Sequence, residues 1–104
     1  MKKHIAIGGL VAAGFDTSAA YMLVVSHAGR GVFSTATWDR VARDHTVVYP
    51  DDGHVIGIGP LDGVRIPVKE LNYDTGELRF ATPDNATVLY YEGGTLTVEA
   101  SGSL

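Results

Sequence analysis

The stretch Tyr21-Met22-Leu23-Val24-Val25-Ser26 decides the fold. Its interior is apolar at every position rather than at alternate ones. Turn signals close it on both sides, Asp16-Thr17-Ser18 before and Ala28-Gly29-Arg30-Gly31 after. The Asp and Ser side chains can bond the backbone two residues on, and glycine takes a positive φ without cost. An apolar run of this length between turns is a strand buried on both faces. The run therefore predicts a central strand, covered above and below.

Working outward, residues 3–10 and 11–15 read as strand, with glycines at a bulge or bend. Gly31 to Thr35 reads as a short strand. Thr37 to Asp44 is the one helical candidate: Trp38, Val41 and Ala42 fall at i, i+3 and i+4, and Thr37 can cap. A strand is the alternative there. Thr46 to Tyr49 and Val55 to Ile58 are strands around the turn Pro50-Asp51-Asp52-Gly53, and Pro60-Leu61-Asp62-Gly63 repeats that turn chemistry. Val64 to Leu71 is a strand whose Pro67 marks an edge or a bulge. Glu77 to Ala81 alternates polar and apolar. Thr87 to Tyr91 and Thr95 to Val98 form a hairpin around Glu92-Gly93-Gly94, and Ala100 to Leu104 is a small, polar tail expected to fray.

Turn signals arrive about every 8–12 residues, which is the all-β pattern. The expected fold is a mostly antiparallel meander, sandwich or barrel-like sheet with at most one short helix near 37–44. The expected core is Ile5, Ile7, Leu23, Val25, Val32, Ile56, Ile58, Leu78, Phe80 and Leu89. With 104 residues, 45% hydrophobic and 19% charged, the chain is a single folded domain over 1–104, and disorder is excluded. It has no Cys, which excludes disulfides and thiolate-held metals.

The net charge of −4 is unevenly placed. Residues 1–43 carry five cations against two carboxylates, a balance of +3; residues 44–104 balance at −7. Between 44 and 62 lie Asp44, Asp51, Asp52 and Asp62 with no Lys or Arg. Such a chain repels phosphate backbones and anionic lipid, so neither nucleic acid nor a membrane surface is expected as a partner, whereas a basic protein is the complement. Met1-Lys2-Lys3, the apolar run from Ile5 to Phe15 and Ser18-Ala19-Ala20 have the outline of a signal peptide. Gly8, Gly9 and Gly14 make that run a poor apolar helix, and it is too short to span a bilayer. A first strand and a cytoplasmic location are the expectations.

Residues 14–41 carry a resemblance. Gly14-Phe15-Asp16-Thr17-Ser18, the buried run from Ala20, the glycine turn to Gly31 and then Val32-Phe33-Ser34-Thr35-Ala36-Thr37-Trp38 are similar to one blade of a WD-repeat β-propeller. Trp38-Asp39 stands a few residues later than the family pattern places its dipeptide. Phe33-Ser34-Thr35 aligns with Tyr73-Asp74-Thr75 at a blade-sized spacing. Propellers need at least four blades, so the resemblance implies a four-stranded meander used as a binding scaffold, or a chain that assembles. It implies no catalytic residue.

Gly57-Ile58-Gly59-Pro60-Leu61-Asp62-Gly63 lacks the following helix that a dinucleotide loop requires. His4, His27, His45 and His54 show no helical metal spacing, although Asp44-His45 and Asp52-Gly53-His54 place a carboxylate near an imidazole. No cofactor or metal is expected. Tyr, Trp and Arg anchor protein interfaces. Trp38, beside Arg40 and Arg43, and Tyr49, before the acidic turn, therefore join Asp51, Asp52 and Asp62 as the candidate binding residues; burial in the core is the other reading of Trp38. The expected function is a small non-catalytic binding protein, in its most specific form an immunity or antitoxin-type protein for a basic partner. The alternatives are a small-molecule enzyme using His27 or His54 with a nearby Asp, and a homo-oligomeric structural subunit joined through a strand edge.

Overall fold

A computed structural model describes residues 2–100. Among them the strands are β1 (Lys2–Ala6), β2 (Leu10–Phe15), β3 (Tyr21–Ser26), β4 (Gly29–Ser34), β5 (Arg40–Asp44), β6 (His54–Ile56), β7 (Arg65–Pro67), β8 (Lys69–Glu70), β9 (Leu78–Ala81), β10 (Thr87–Glu92) and β11 (Thr95–Ala100). The helical content of the described residues is a single 3-10 turn, Gly59–Leu61. The strands make a four-stranded sheet ordered β1-β11-β10-β9, a five-stranded sheet ordered β5-β4-β3-β2-β8, and a two-stranded hairpin of β6 and β7. Every pairing is antiparallel. The fold is all-β, without a closed barrel.

The five-stranded sheet is the middle layer, and β3 explains why. Met22 and Val24 point into a core shared with the four-stranded sheet, containing Leu10, Phe15, Phe33, Leu89, Leu96 and Val98. Leu23 and Val25 point the other way, into a core closed by Val55, Ile58, Leu61 and Ile66 of the hairpin layer. All four β3 side chains are at most 3% exposed. The unbroken apolar run is thus a strand with a hydrophobic layer on each side.

The expected helix at Thr37–Asp44 is instead a turn followed by β5. The Trp38 N–H donates to the Ser34 carbonyl at 2.6 Å, and Trp38 takes φ +62, outside the right-handed helical region. The helical spacing was a coincidence of types: Trp38 fills the first core, Ala42 packs on the second, and Val41, at an irregularity in the β4–β5 register, is 49% exposed. The expected strand Val64–Leu71 divides at Pro67. Arg65–Pro67 pairs with β6, whereas Lys69–Glu70 pairs with β2. Between them the Val68 N–H turns to the Gly53 carbonyl at 2.8 Å. Thr46 to Tyr49 forms no strand, although the Val48 carbonyl accepts from Ile56 N–H at 3.1 Å.

Seven of the ten expected core residues are buried. Ile5 and Phe80 are half-buried because β1 and β9 are sheet edges, and Ile56 because it lies on the outer face of the hairpin. The meander that the propeller-like stretch implied is present as β2-β3-β4-β5. The second copy has no counterpart: Phe33 lies in a strand, but Tyr73-Asp74-Thr75 lies in a turn. The strands expected over 3–10 and 11–15 are β1 over Lys2–Ala6 and β2 over Leu10–Phe15, with the break at residues 7–9. Ala100 belongs to β11, and the rest of the tail expected to fray lies outside the described residues. Among the described residues no helix is long and apolar enough to cross a membrane.

Candidate functional site

The hairpin layer turns one face inward and one outward. Val55 and Ile66 are fully buried, so their neighbours His54, Ile56, Arg65 and Pro67 face out. The loop before β6 folds back over this outer face. There Asp51 accepts from the Arg65 guanidinium and meets His54 Nδ1 at 2.7 Å. The same nitrogen lies 3.2 Å from the Asp52 carbonyl. Sequence proximity suggested Asp52 as the carboxylate partner of His54; three residues before an extended strand, Asp51 is the one that reaches.

Two of the four acids between 44 and 62 therefore have arginine partners from outside that stretch. Asp51 has Arg65, and Asp44 has Arg30 at 3.6 Å. The Thr46 backbone N–H, foremost, and the Arg30 charge hold the Asp44 carboxyl below its usual range. Arg30 is buried and also donates to the Ile56 carbonyl, so it ties β4 to β6. Asp52 and Asp62 are exposed and make no ion pair among the described residues. They lie beyond opposite ends of β6, Asp52 before it and Asp62 after the 3-10 turn that packs on β5.

Tyr49 sits at the start of the folded-back loop, 48% exposed. Its phenol is held above its ordinary pKa, first by partial burial and then by the charges of Glu70 and Tyr73. Glu70 of β8 and Tyr73, the latter 73% exposed, are thus close enough for their charges to act on it. No pattern marked Tyr73 as a binding residue, because it follows a short edge strand and enters a turn. Trp38 is 4% exposed and belongs to the core between the two large sheets. The structure thus keeps Tyr49, Asp51 and Asp52 on one folded-back loop, with Glu70 and Tyr73 within electrostatic reach of Tyr49, and leaves Asp62 and Trp38 elsewhere.

The histidines do not converge. His4 Nδ1 is 3.1 Å from Thr97 Oγ1, His45 Nδ1 is 2.9 Å from the Ala28 carbonyl, and His27 is exposed against Gly9. Among the described residues no three His, Asp or Glu side chains are placed to hold a metal ion.

Fold and site together define a three-layered all-β domain with an exposed tyrosine and carboxylate face. No family model matches the chain, and no curated protein or solved structure matches it either.

Proposed function

We propose that this chain is a small, non-catalytic binding protein that grips another protein through the Tyr49–Tyr73 face, and that the partner is basic. The observation that carries the reading is the exposure of Tyr49 and Tyr73, which lie within electrostatic reach of each other, with Glu70 in reach of Tyr49 and with Asp52, in no ion pair among the described residues, three positions along the chain from Tyr49. Tyrosine presents a large, rigid apolar area with a polar tip, and it is enriched among residues that dominate interface energy. Carboxylates at the rim of such a patch attract a cationic partner and set its orientation. Asp51, held by Arg65 and His54, is oriented before any partner arrives. In its most specific form the protein is of immunity or antitoxin type, covering the basic surface of a toxin.

The test is affinity capture with the folded chain from its source lysate at low salt. A basic protein should be retained and should elute as salt rises, because exposed charges are screened beyond about 8–10 Å at physiological ionic strength. Tyr49→Ala with Tyr73→Ala, and separately Asp52→Lys, should each weaken retention about tenfold or more, while Asp62→Lys at the far end of the hairpin should not. Equal retention by all variants would remove this face as the interface. The enzyme alternative is supported by one observation, the His54–Asp51 contact. It predicts a turnover that Asp51→Asn lowers and the tyrosine substitutions leave alone.

A further inference from the structure

The two large sheets meet along two sides. On one side β8 approaches β9. On the other, β1 and β5 are free edges, joined where Lys3 Nζ donates to the Thr37 carbonyl at 3.2 Å and pairs with Asp39 at 3.9 Å. Farther along this seam lies a partly enclosed cleft. It is lined by the apolar Ile7, Val24 and Phe33, by Gly31, and by Arg40 and Arg43 of β5, with the β3–β4 turn and Arg30 completing it. The β4–β5 register puts Arg43 opposite Gly31 and Arg40 opposite Phe33. The Arg40 guanidinium rests over the Phe33 ring, 5.6 Å from its centre. Neither Arg40 nor Arg43 has a carboxylate partner among the described residues.

Neither φ nor a steric contact requires glycine at 31. Its φ is not positive. A Cβ there would meet nothing nearer than the Ala42 carbonyl oxygen at 3.6 Å and the Arg40 side chain at 3.7 Å, which is ordinary contact. Glycine inside a strand costs about 0.5–1 kcal/mol relative to alanine. In a strand it marks a bulge, such as the register shift between Val32 and Phe33, or a place where a ligand or another backbone approaches closely. Charged residues on an edge strand also discourage edge-to-edge pairing, but that role needs neither a cleft nor an absent side chain beneath the charges.

We infer that this cleft is a binding site for a carboxylate on a short apolar stem, its charge taken by Arg40 and Arg43 and its stem lying on Gly31 and Phe33. The size agrees. The cleft has about 50 Å³ of room for water-sized groups, and one such group needs about 10–15 Å³. It therefore has room for only a few non-hydrogen atoms, the scale of a carboxylate with one or two carbons. Planar guanidinium groups match the two oxygens of a carboxylate, and the charge-assisted bonds are the strong ones. The site is on the opposite side of the middle sheet from the Tyr49 face and does not depend on it. Its ligand is either a free short-chain acid or an acidic residue of a polypeptide.

The experiment is an NMR titration of the folded chain at low ionic strength with propionate, with propionamide as the uncharged control. A blocked peptide bearing one central Glu, and the same peptide with Gln, form the second arm. Propionate should give saturable shifts at the Gly31 and Phe33 amides and at the Arg40 and Arg43 Nε–H groups, and propionamide should not. Arg43→Gln should weaken binding about tenfold. Gly31→Ala, which fits without a clash, should abolish it while leaving the melting temperature unchanged or raised. Tighter binding of the Glu peptide than of propionate assigns the ligand to a polypeptide; weaker binding assigns it to a free acid. Shifts that do not saturate, that are equal for propionamide, or that survive both Arg43→Gln and Gly31→Ala would overturn the site.

Discussion

Replacing Leu23 with alanine tests the three-layer arrangement at its centre. Leu23 is fully buried, and its core is built from Val25, Val32, Val55, Ile66 and their neighbours. The substitution removes three carbons, worth about 0.8 kcal/mol each in transfer, or roughly 2.4 kcal/mol. The wall residues are largely β-branched and stiff at χ1, on strands tied by backbone hydrogen bonds, so the void closes only in part. A cavity cost of about 1 kcal/mol is added to the transfer loss, for a total of about 3–4 kcal/mol. At about 4–8 °C per kcal/mol for a domain of this size, the melting temperature should fall by about 12 °C or more. Urea denaturation followed by tryptophan fluorescence of Trp38 measures the same loss at constant temperature. Val88 on the outer face of β10 is 42% exposed, so Val88→Ala is the control and should stay within about 0.5 kcal/mol of the parent. A loss below 1 kcal/mol for Leu23→Ala would refute the second core and detach the hairpin as a structural layer.

Two further outcomes follow from close contacts. A Cβ at Gly14 would overlap the Pro67 carbonyl oxygen, backbone against backbone, whereas Gly8 has open space around it; Gly14→Ala should cost about 1–3 kcal/mol or more in urea unfolding, and Gly8→Ala almost nothing. The Asp84 carboxyl is held below its ordinary value, first by the Thr82 hydroxyl, which donates to it at 2.6 Å, and then by the Ala86 N–H. Ionised Asp84 therefore favours the folded state above the ordinary carboxyl pKa of about 3.9, and this contribution is lost as pH falls through the lower folded value. Asp84→Asn should shrink the drop in urea midpoint between pH 5 and pH 2, and an unchanged drop would show that the Thr82 contact is not made in solution.

How much of this was legible in the sequence depended on whether the signal was local. The apolar run of β3 and the Gly93-Gly94 turn, where both glycines take positive φ, are specified within a few residues, and both were readable. Trp38 was not. Its side chain reads equally as helix, interface or core until the turn from Ser34 aims it between the sheets. Val64 to Leu71 reads as one strand because nothing near it reveals that its two halves pair with different layers. The acidic stretch reads as bare because Arg30 and Arg65, which meet Asp44 and Asp51, come from other strands. Tyr73 joined the site only through Tyr49 and Glu70, and the seam cleft only through the pairing of β5 on β4.

The four-stranded sheet sets an order of events for a chain emerging from the ribosome. β2 to β5 pair each with the next, so this meander can form as soon as residues 10–44 are free. β1 pairs with β11, bringing His4 against Thr97 across most of the sequence. During synthesis β1 has no strand to join until β11 has emerged, and long-range closures of this kind are slow. Until then Met22, Val24 and Phe33 face water on one side of the meander. A meander formed at that stage would present one side of its middle layer as an open apolar surface to a chaperone or to another copy.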